Sequence, residues 1–266
     1  MRTAVLPPLR AWLQHPMLAA GAGWDQIASR LTPRLHPAPS PREFLPSPTA
    51  FVARLAHVPN EEATAAVAET PVDHLVHEMM SGIERGIPAR LARAQAPPPT
   101  PAWQGMLAGL FGLVRLTRPA TVVETGVGLM GASSTFILEA LDRNGGGELW
   151  SVDADRYFPL FGVHVGQGIP PRLQGRHHLV VGDSRQHLGR VLAECGGPQI
   201  FLHDSLHTYR NMTFEFRAGW QHLRPGGILL SDDATNSSFD DFAAAVRGRP
   251  LFFDCGSIFA GMSRPD

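Results

Sequence analysis

Short apolar runs alternate with longer amphipathic stretches along the C-terminal two thirds of the chain. Five of the runs predict strands, at 121–124, 148–152, 178–181, 200–203 and 228–231. Two more strands are predicted near the end of the chain, at 251–254 and 257–263. The stretches between the runs carry apolar residues at helical spacing, as in 209–223 with Phe216 and Trp220 on one face. This alternation predicts an α/β domain over residues 100–266, a mostly parallel seven-stranded sheet with helices on both faces.

Residues 1–99 follow a different pattern, which is rich in proline and alanine. Prolines concentrate at 33–48 and at 97–101, where they disfavour regular helix and sheet. Between these runs one helix is predicted to begin near Asn60, and a second to begin directly after its N-cap, Thr70. We interpret 1–99 as a helical region with irregular connections, which acts either as a lid or as a contact in a homodimer or higher homo-oligomer.

Composition and charge exclude several classes of function before any motif is considered. The chain has 266 residues and a formal net charge of −1, which does not suit a nucleic-acid or membrane-surface binder. All of its basic residues are arginines, so a lysine Schiff base and a P-loop lysine are excluded. No apolar run approaches the ~20 residues of a membrane span. Cys195 and Cys255 are expected to be free thiols, so we predict a cytoplasmic protein.

A glycine-rich turn follows the first predicted strand. Gly126, Gly128 and Gly131 have the spacing G-x-G-x-x-G, which lets the backbone turn tightly and approach a ligand. On its own this motif also fits a strand-to-helix turn without a ligand. Glu124 changes the balance, because a carboxylate two residues before the first glycine would repel the pyrophosphate of a dinucleotide. The same carboxylate suits S-adenosylmethionine, which carries a sulfonium and an ammonium group.

Acidic residues also follow the second and third predicted strands. Asp153 ends the second strand, where a carboxylate can accept hydrogen bonds from both hydroxyls of a ribose. Asp183, followed by Ser184, comes directly after the third strand and is predicted to accept from the adenine amino group. Each acid alone is typical of a surface residue or a helix cap. Their placement after successive strands favours one cofactor site, because ligands of such sheets bind beyond the carboxyl ends of the strands.

Three more carboxylates follow the fourth and fifth predicted strands, namely Asp204 and the pair Asp232 and Asp233. If these strands are neighbours, about 4.8 Å apart, the three acids converge at one rim. Such acids repel one another, so a divalent cation is a natural partner, and oxygen ligands favour Mg²⁺, with Mn²⁺ or Ca²⁺ as alternatives. The aspartate pair could instead be a helix cap and a solvent-facing acid, and Asp204 could contact cofactor or substrate without a metal.

A histidine lies at the mouth of the loop that Asp204 opens. His207 follows Asp204 by three residues, and a neutral imidazole there is predicted to take the proton of an acceptor hydroxyl as general base. His207 could instead cap the next helix or contact the metal site indirectly. Asp204 and His207 are therefore the predicted catalytic pair.

These segments together resemble the class I S-adenosylmethionine-dependent methyltransferases, and in particular the bacterial metal-dependent O-methyltransferases of small molecules such as sugars and catechols. The resemblance covers residues from about 100 to 266. It rests on the segments 123–128, 152–153, 182–184, 203–209, 223–228 and 231–233. It implies a Rossmann-like fold and an acid after the fourth strand, with an acid pair after the fifth, that hold a metal ion.

The resemblance also implies roles for the cofactor residues. It assigns the methionine portion of S-adenosylmethionine to Glu124, Gly126 and Gly128, the ribose to Asp153, and the adenine to Asp183. Further cofactor contacts are predicted for Ser133, Ser184 and Asp204, although the glycine turn is longer here than in many relatives.

The hypothesis that follows is methyl transfer from S-adenosylmethionine to a hydroxyl of a small molecule, assisted by a divalent metal. One alternative is a metal-independent methyltransferase that acts on N, O or C. A nicotinamide-dependent oxidoreductase is disfavoured by Glu124 and by the late position of Asp153. A non-catalytic scaffold is disfavoured by the complete acidic set. The expected partner is a small-molecule acceptor rather than nucleic acid or membrane, and a phenol, a sugar hydroxyl and a peptide-derived natural product all remain open.

Overall fold

The computed structural model describes residues 16–85, 99–154 and 163–266. Residues 1–15 and 86–98 of the predicted N-terminal region, with part of the second proline run, lie outside the described residues. Eight described strands form one sheet, and they are β1 (Phe44–Leu45), β2 (Thr121–Thr125), β3 (Glu148–Asp153), β4 (His177–Val181), β5 (Ile200–His203), β6 (Ile228–Ser231), β7 (Leu251–Asp254) and β8 (Ile258–Ser263).

Helices precede, connect and cover these strands. The α-helices of the described ranges are α1 (Pro16–Leu35), α2 (Pro48–Ala56), α3 (Asn60–Ala68), α4 (Val72–Glu84), α5 (Pro101–Thr117), α6 (Ala132–Arg143), α7 (Ser184–Glu194), α8 (Tyr209–His222) and α9 (Ser238–Ala245). A 3₁₀-helix spans Pro171–Arg176. None of the helices in these ranges combines the length and apolar character needed to cross a membrane.

The strand order in the sheet is β1-β7-β8-β6-β5-β2-β3-β4. β8 runs antiparallel to β6 and β7, whereas all other neighbouring strands are parallel. β2 lies in the middle and pairs with β3 on one side and with β5 on the other. The order of the strands reverses there, and such a switch point opens a crevice beyond the strand ends. The predicted Rossmann-like, mostly parallel α/β fold is confirmed.

Both faces of the sheet are covered, because alternate strand residues point to opposite sides. On one face, Val122 and Leu202 belong to a core shared with α2, α4, α5 and α6. On the other face, Val123 and Phe201 belong to a second core shared with α7, α8 and α9. The apolar runs of the strands are continuous for this reason, and the predicted helices on both faces are present.

The N-terminal region differs from the prediction in three places. β1 lies inside the first proline run and pairs in parallel with β7, Phe44 beside Phe252. A two-residue edge strand tolerates flanking prolines because few of its amides enter the ladder. Pro33 lies inside the last turn of α1, two residues before the helix ends, so its missing amide costs one hydrogen bond near the helix end. Thr70 does not cap α4, because its hydroxyl donates to the Val67 carbonyl at 2.7 Å and thereby closes α3.

The predicted boundary between residues 99 and 100 does not separate two cores. Phe51 of α2 packs edge-on against Phe259 of β8, with ring centroids 5.7 Å apart. Leu55 and Leu75 are buried in the same cluster as the sheet residues. Residues 48–84 therefore help to build the core, while the predicted role of 1–99 as a lid or dimer contact stays a prediction.

Candidate active site

The predicted site residues follow the carboxyl ends of five adjacent parallel strands. β4, β3, β2, β5 and β6 are neighbours in this order, so the loops that follow them meet at one edge of the sheet. The turn after β2 and the loop after β5 are in direct contact. The amide of Asp204 donates to the Thr125 carbonyl at 2.8 Å.

The glycine turn after β2 requires glycine at its first position. Gly126 has a φ of +84°, and a Cβ placed on it would lie 2.0 Å from the carbonyl oxygen of Asp204. Gly128 has a φ of +67°, and among the described residues a Cβ there would meet open space. Gly126 thus allows the close approach of two loops, whereas Gly128 leaves room above the turn. Gly131 is the N-cap residue of α6 and has a φ of +58°.

Asp153, at the end of β3, holds the same turn. Its Oδ2 accepts hydrogen bonds from the amides of Val127 at 2.7 Å and Gly128 at 2.9 Å. The structure therefore places this carboxylate at the turn, where it fixes the backbone amides. Contact with a ribose stays a prediction.

Glu124 lies beneath the turn and is fully buried. Its carboxylate accepts hydrogen bonds from Ser133 at 3.0 Å, from Ser151 at 2.7 Å, and from Ser134. Burial raises the pKa of Glu124 to about 7, and the three serine hydroxyls oppose this rise. In the structure Glu124 joins α6 and β3 to the turn from within the core. Direct contact of Glu124 or Ser133 with a cofactor stays a prediction.

The residues after β4 begin a helix. Asp183 is the N-cap of α7, and its Oδ1 accepts from the amide of Arg185 at 2.9 Å. Ser184 is the first residue of α7 and hydrogen-bonds to the buried Glu215. The cap role of Asp183 is the alternative that the sequence left open, and its contact with adenine stays a prediction.

Asp204, His207 and Asp232 form a compact cluster beyond β5 and β6. These two strands are parallel neighbours, with His203 beside Ser231 in the register. One potential ligand atom from each residue of the cluster lies within 4.8 Å of the others. Nε2 of His207 lies 3.7 Å from Oδ1 of Asp204. Two carboxylates and one imidazole can hold a divalent cation or move a proton.

Asp233 lies beside this cluster, and among the described residues the mutually close set contains His207 rather than Asp233. The predicted role of Asp233 as a metal ligand stays a prediction. Its backbone has a φ of +46°, and its Oδ1 accepts a hydrogen bond from Ser257 in the β7–β8 turn. Its Oδ2 lies 3.6 Å from Nδ1 of His207. The left-handed backbone and the contact with Ser257 set the position of Asp233, and His207 is the third member of the mutually close set.

Sequence analysis missed a buried polar network under the same loop. Glu215 of α8 is fully buried and accepts hydrogen bonds from Nδ1 of His203 at 2.6 Å and from Ser205 at 2.9 and 3.0 Å. Burial alone would raise the pKa of Glu215, but the charge of His203 and the hydrogen bonds hold this pKa at about 2. One feature of the sequence could have indicated this network. Glu215 is an acid on the apolar face of α8, between Met212 and Phe216.

The described N-terminal segment reaches the edge of the site. The ring of His36 stacks on Tyr209, with centroids 4.1 Å apart and an interplanar angle of 20°. The carbonyl of His36 accepts from the amide of Ser237 at 3.0 Å. Arg42 forms an ion pair with Asp240. The segment is therefore anchored to the loop that follows Asp233 and to α9.

The comparisons with known proteins agree with this fold. Residues 123–234 match the family model described as a methyltransferase domain. This match contains the glycine turn and the Asp204–His207–Asp232 cluster. The comparison with curated proteins found no match.

Three solved structures are similar. A proposed O-methyltransferase from Klebsiella pneumoniae has a TM-score of 0.54 at 19% identity, over 75% of this chain and 93% of that one. The methyltransferase PaMTH1 from Podospora anserina, bound to S-adenosylhomocysteine, has a TM-score of 0.52 at 12% identity, over 72% and 88% of the two chains. An O-methyltransferase from Bacillus cereus, in complex with S-adenosylhomocysteine, has a TM-score of 0.50 at 15% identity, over 69% and 91%. At these identities the likeness shows the fold.

Proposed function

We propose that this chain, whose residues 123–234 match a methyltransferase domain, is a class I methyltransferase that transfers a methyl group from S-adenosylmethionine to a hydroxyl of a small molecule with the help of a divalent cation. The observation that carries the proposal is the Asp204–His207–Asp232 cluster. The cluster lies beside the glycine turn of this fold. The carbonyl oxygen of Asp204, one of its members, lies so close to Gly126 that a Cβ there would be 2.0 Å away.

The turn has the features that a bound S-adenosylmethionine needs. Gly128 leaves open space where a side chain would otherwise stand, and its amide is oriented by Asp153. Asp153 and Asp204 bring negative charge to the turn, which suits a ligand with a sulfonium and an ammonium group. The Bacillus cereus and Podospora anserina proteins of the same fold hold S-adenosylhomocysteine. These features support the cofactor role of Gly126, Gly128 and Asp153. We propose that Asp183, Ser184 and Ser133 make further contacts with the cofactor.

The donor set at the cluster fits a divalent cation. Asp204 and Asp232 offer carboxylate oxygens close enough for one ion, and such oxygens suit Mg²⁺ or Mn²⁺. When bound, the cation would supply a positive charge that stabilises the developing oxyanion of the acceptor hydroxyl. Asp233 then lies next to the ion and contributes negative charge beside His207, through its Oδ2 at 3.6 Å from Nδ1 of His207.

His207 is the proposed general base. Its ring lies between Oδ1 of Asp204 and Oδ2 of Asp233, so two carboxylates stabilise the positive charge that the imidazole gains with the proton. In the reaction the hydroxyl oxygen bonds to the methyl carbon, the carbon–sulfur bond breaks with its electron pair on sulfur, and the proton goes to His207. Alignment of the two substrates supplies much of the acceleration.

His207 is also close enough to act as a metal ligand. One of its ring nitrogens lies within 4.8 Å of carboxylate oxygens of Asp204 and Asp232, so one ion could contact all three. As a third metal ligand, His207 would shift the preference from Mg²⁺ towards metals that accept nitrogen. A metal-independent reaction remains the simpler alternative, in which Asp204 and Asp232 only orient the acceptor.

Binding and chelation experiments test the proposal. Calorimetric titration should show binding of S-adenosylhomocysteine and none of NAD. Transfer of a labelled methyl group to a panel of phenols and sugars should disappear on exhaustive chelation and return with Mg²⁺ or Mn²⁺. Binding of NAD alone would contradict the methyltransferase function, whereas full activity after chelation would remove the metal while leaving that function intact.

A further inference from the structure

Glu215 is a buried carboxylate without a part in the proposed chemistry. It lies on α8, and its side chain is completely buried at the interface with β2 and β5. Five side chains donate to it, and they are Thr125, Ser184, His203, Ser205 and Asn211, the last at 3.0 Å. A buried charge is costly unless it is paired and hydrogen-bonded, and here each carboxylate oxygen has more than one donor.

The donors have a specific relation to the candidate site. His203 and Ser205 are the residues immediately before and after Asp204. One carboxylate therefore holds the chain on both sides of the proposed metal ligand. Thr125 is the residue immediately before Gly126, so the same carboxylate also fixes the strand end from which the glycine turn starts.

The loop between β5 and α8 is tied at its far end as well. Nδ2 of Asn211 donates to Oγ of Ser205 at 3.1 Å and to Oε1 of Glu215. The loop that carries His207 is thus spanned by side-chain hydrogen bonds from its second residue, Ser205, to the first turn of α8. The ring of His203 also meets the ring of His207 edge-on, with centroids 5.3 Å apart.

We infer that Glu215 is a positioning residue for the divalent-cation site, which acts through His203 and Ser205 by fixing the backbone on both sides of Asp204. The inference rests on the proposed function. Glu215 itself touches neither the cation nor the acceptor. Residues that hydrogen-bond directly to metal ligands contribute 10- to 100-fold to metal affinity or activity in other metalloproteins, and we take that range as the scale of the effect here.

Manganese binding tests the inference without any need for the acceptor. The free Mn²⁺ signal in electron paramagnetic resonance measures the dissociation constant for wild type and Glu215→Gln. Glutamine keeps the size of the side chain but removes the charge and part of the accepting capacity. We expect the Mn²⁺ dissociation constant to rise by about 10- to 100-fold. Ser205→Ala, which removes one partly exposed hydroxyl, is expected to raise it roughly fivefold.

Glu139→Gln is the matched control. Glu139 is a buried carboxylate on α6 that pairs with Arg143 and Arg172, away from the loop after β5. It should lower the melting temperature while leaving Mn²⁺ affinity within twofold of wild type. Folding is monitored by circular dichroism in each variant.

Each outcome decides the inference. Unchanged Mn²⁺ affinity in folded Glu215→Gln would overturn it. If that variant does not fold, unchanged affinity in Ser205→Ala would overturn it, and weakened affinity would support it. If wild type binds S-adenosylhomocysteine but no Mn²⁺, the metal site and this inference both fail, while the methyltransferase function stands.

Discussion

At the scale of single residues, His207 is the side chain on which the proposed proton transfer depends. In His207→Gln the side chain keeps its approximate size and polarity but cannot accept a proton at neutral pH. We expect kcat to fall by about 10²- to 10⁴-fold, the usual contribution of a positioned base. The affinity for S-adenosylhomocysteine should not change. His222→Gln, at the exposed end of α8, is the control and should keep the wild-type kcat.

The same variant separates the two roles of the imidazole. A base that does not bind the metal predicts unchanged Mn²⁺ affinity in His207→Gln. A marked loss of Mn²⁺ affinity would show instead that His207 is a ligand, and an unchanged kcat would contradict both roles.

Glu124 gives a prediction about stability. Its pKa is raised from 4.5 to about 7 in the folded protein, so folding takes up a proton between these values. The associated stability is fully present below pH 4.5 and is lost as the pH rises through about 7. Relative to Glu124→Gln, wild type should lose on the order of 3 kcal/mol of unfolding free energy over this range. Urea unfolding of both proteins at pH 5 and pH 8 measures it, and parallel pH profiles would contradict it.

The sequence could predict some of these residues and not others. Asp204 and Asp232 follow from position alone, because each ends a recognisable apolar strand. The direction of Asp233 could not be predicted, since it depends on a left-handed backbone and on Ser257 from a distant turn. The pairing of Glu215 with His203 could not be predicted from the sequence, because the two side chains meet only when α8 packs on β5.

At the scale of secondary-structure elements, the glycine turn and the loop after β5 touch through Gly126. In Gly126→Ala the new Cβ would overlap the carbonyl of Asp204, and the positive φ adds strain. We expect the affinity for S-adenosylhomocysteine to fall at least tenfold by calorimetry, because the turn must move. Gly145→Ala is the matched control for Gly126→Ala, because Gly145 also has a positive φ, +74°, but has open space around it among the described residues.

The control isolates the cost of the backbone conformation. Gly145→Ala should lose about 1 kcal/mol of stability and keep its cofactor affinity. If Gly126→Ala behaves in the same way, the contact between the two loops does not matter for binding.

The elements themselves were largely predictable. Three strands, β5, β6 and β7, have the predicted bounds, and β5 and β6 are buried along their whole length. Thr100 caps α5 through a hydrogen bond from the amide of Trp103 at 3.3 Å, and the sequence Thr-Pro is typical of such a helix start. β1 was missed because a two-residue strand has no periodicity of its own, and its pairing with β7 depends on the completed sheet.

At the scale of the whole molecule, the N-terminal helices α2, α3 and α4 share one core with the sheet. Leu55 of α2 is 2% exposed and lies in the cluster that also contains Phe253 and Phe259. Leu55→Ala should therefore lower the unfolding free energy by about 2–5 kcal/mol, as expected for a core leucine. Leu35→Ala, at a position 72% exposed, should change it by less than about 0.5 kcal/mol.

Chemical denaturation of both variants measures the difference. A single cooperative transition in Leu55→Ala, shifted as a whole, would indicate that the sheet unfolds together with α2. An N-terminal transition that separates from an unshifted main transition would contradict the shared core.

A crystal structure with S-adenosylhomocysteine and Mn²⁺ tests the central claim most directly, because one experiment locates both the cofactor and the ion. The account predicts S-adenosylhomocysteine over the turn formed by Gly126 and Gly128, and an anomalous Mn²⁺ peak between Asp204 and Asp232. S-adenosylhomocysteine bound elsewhere, or a fully occupied cofactor site with no anomalous peak at these two carboxylates, would contradict it.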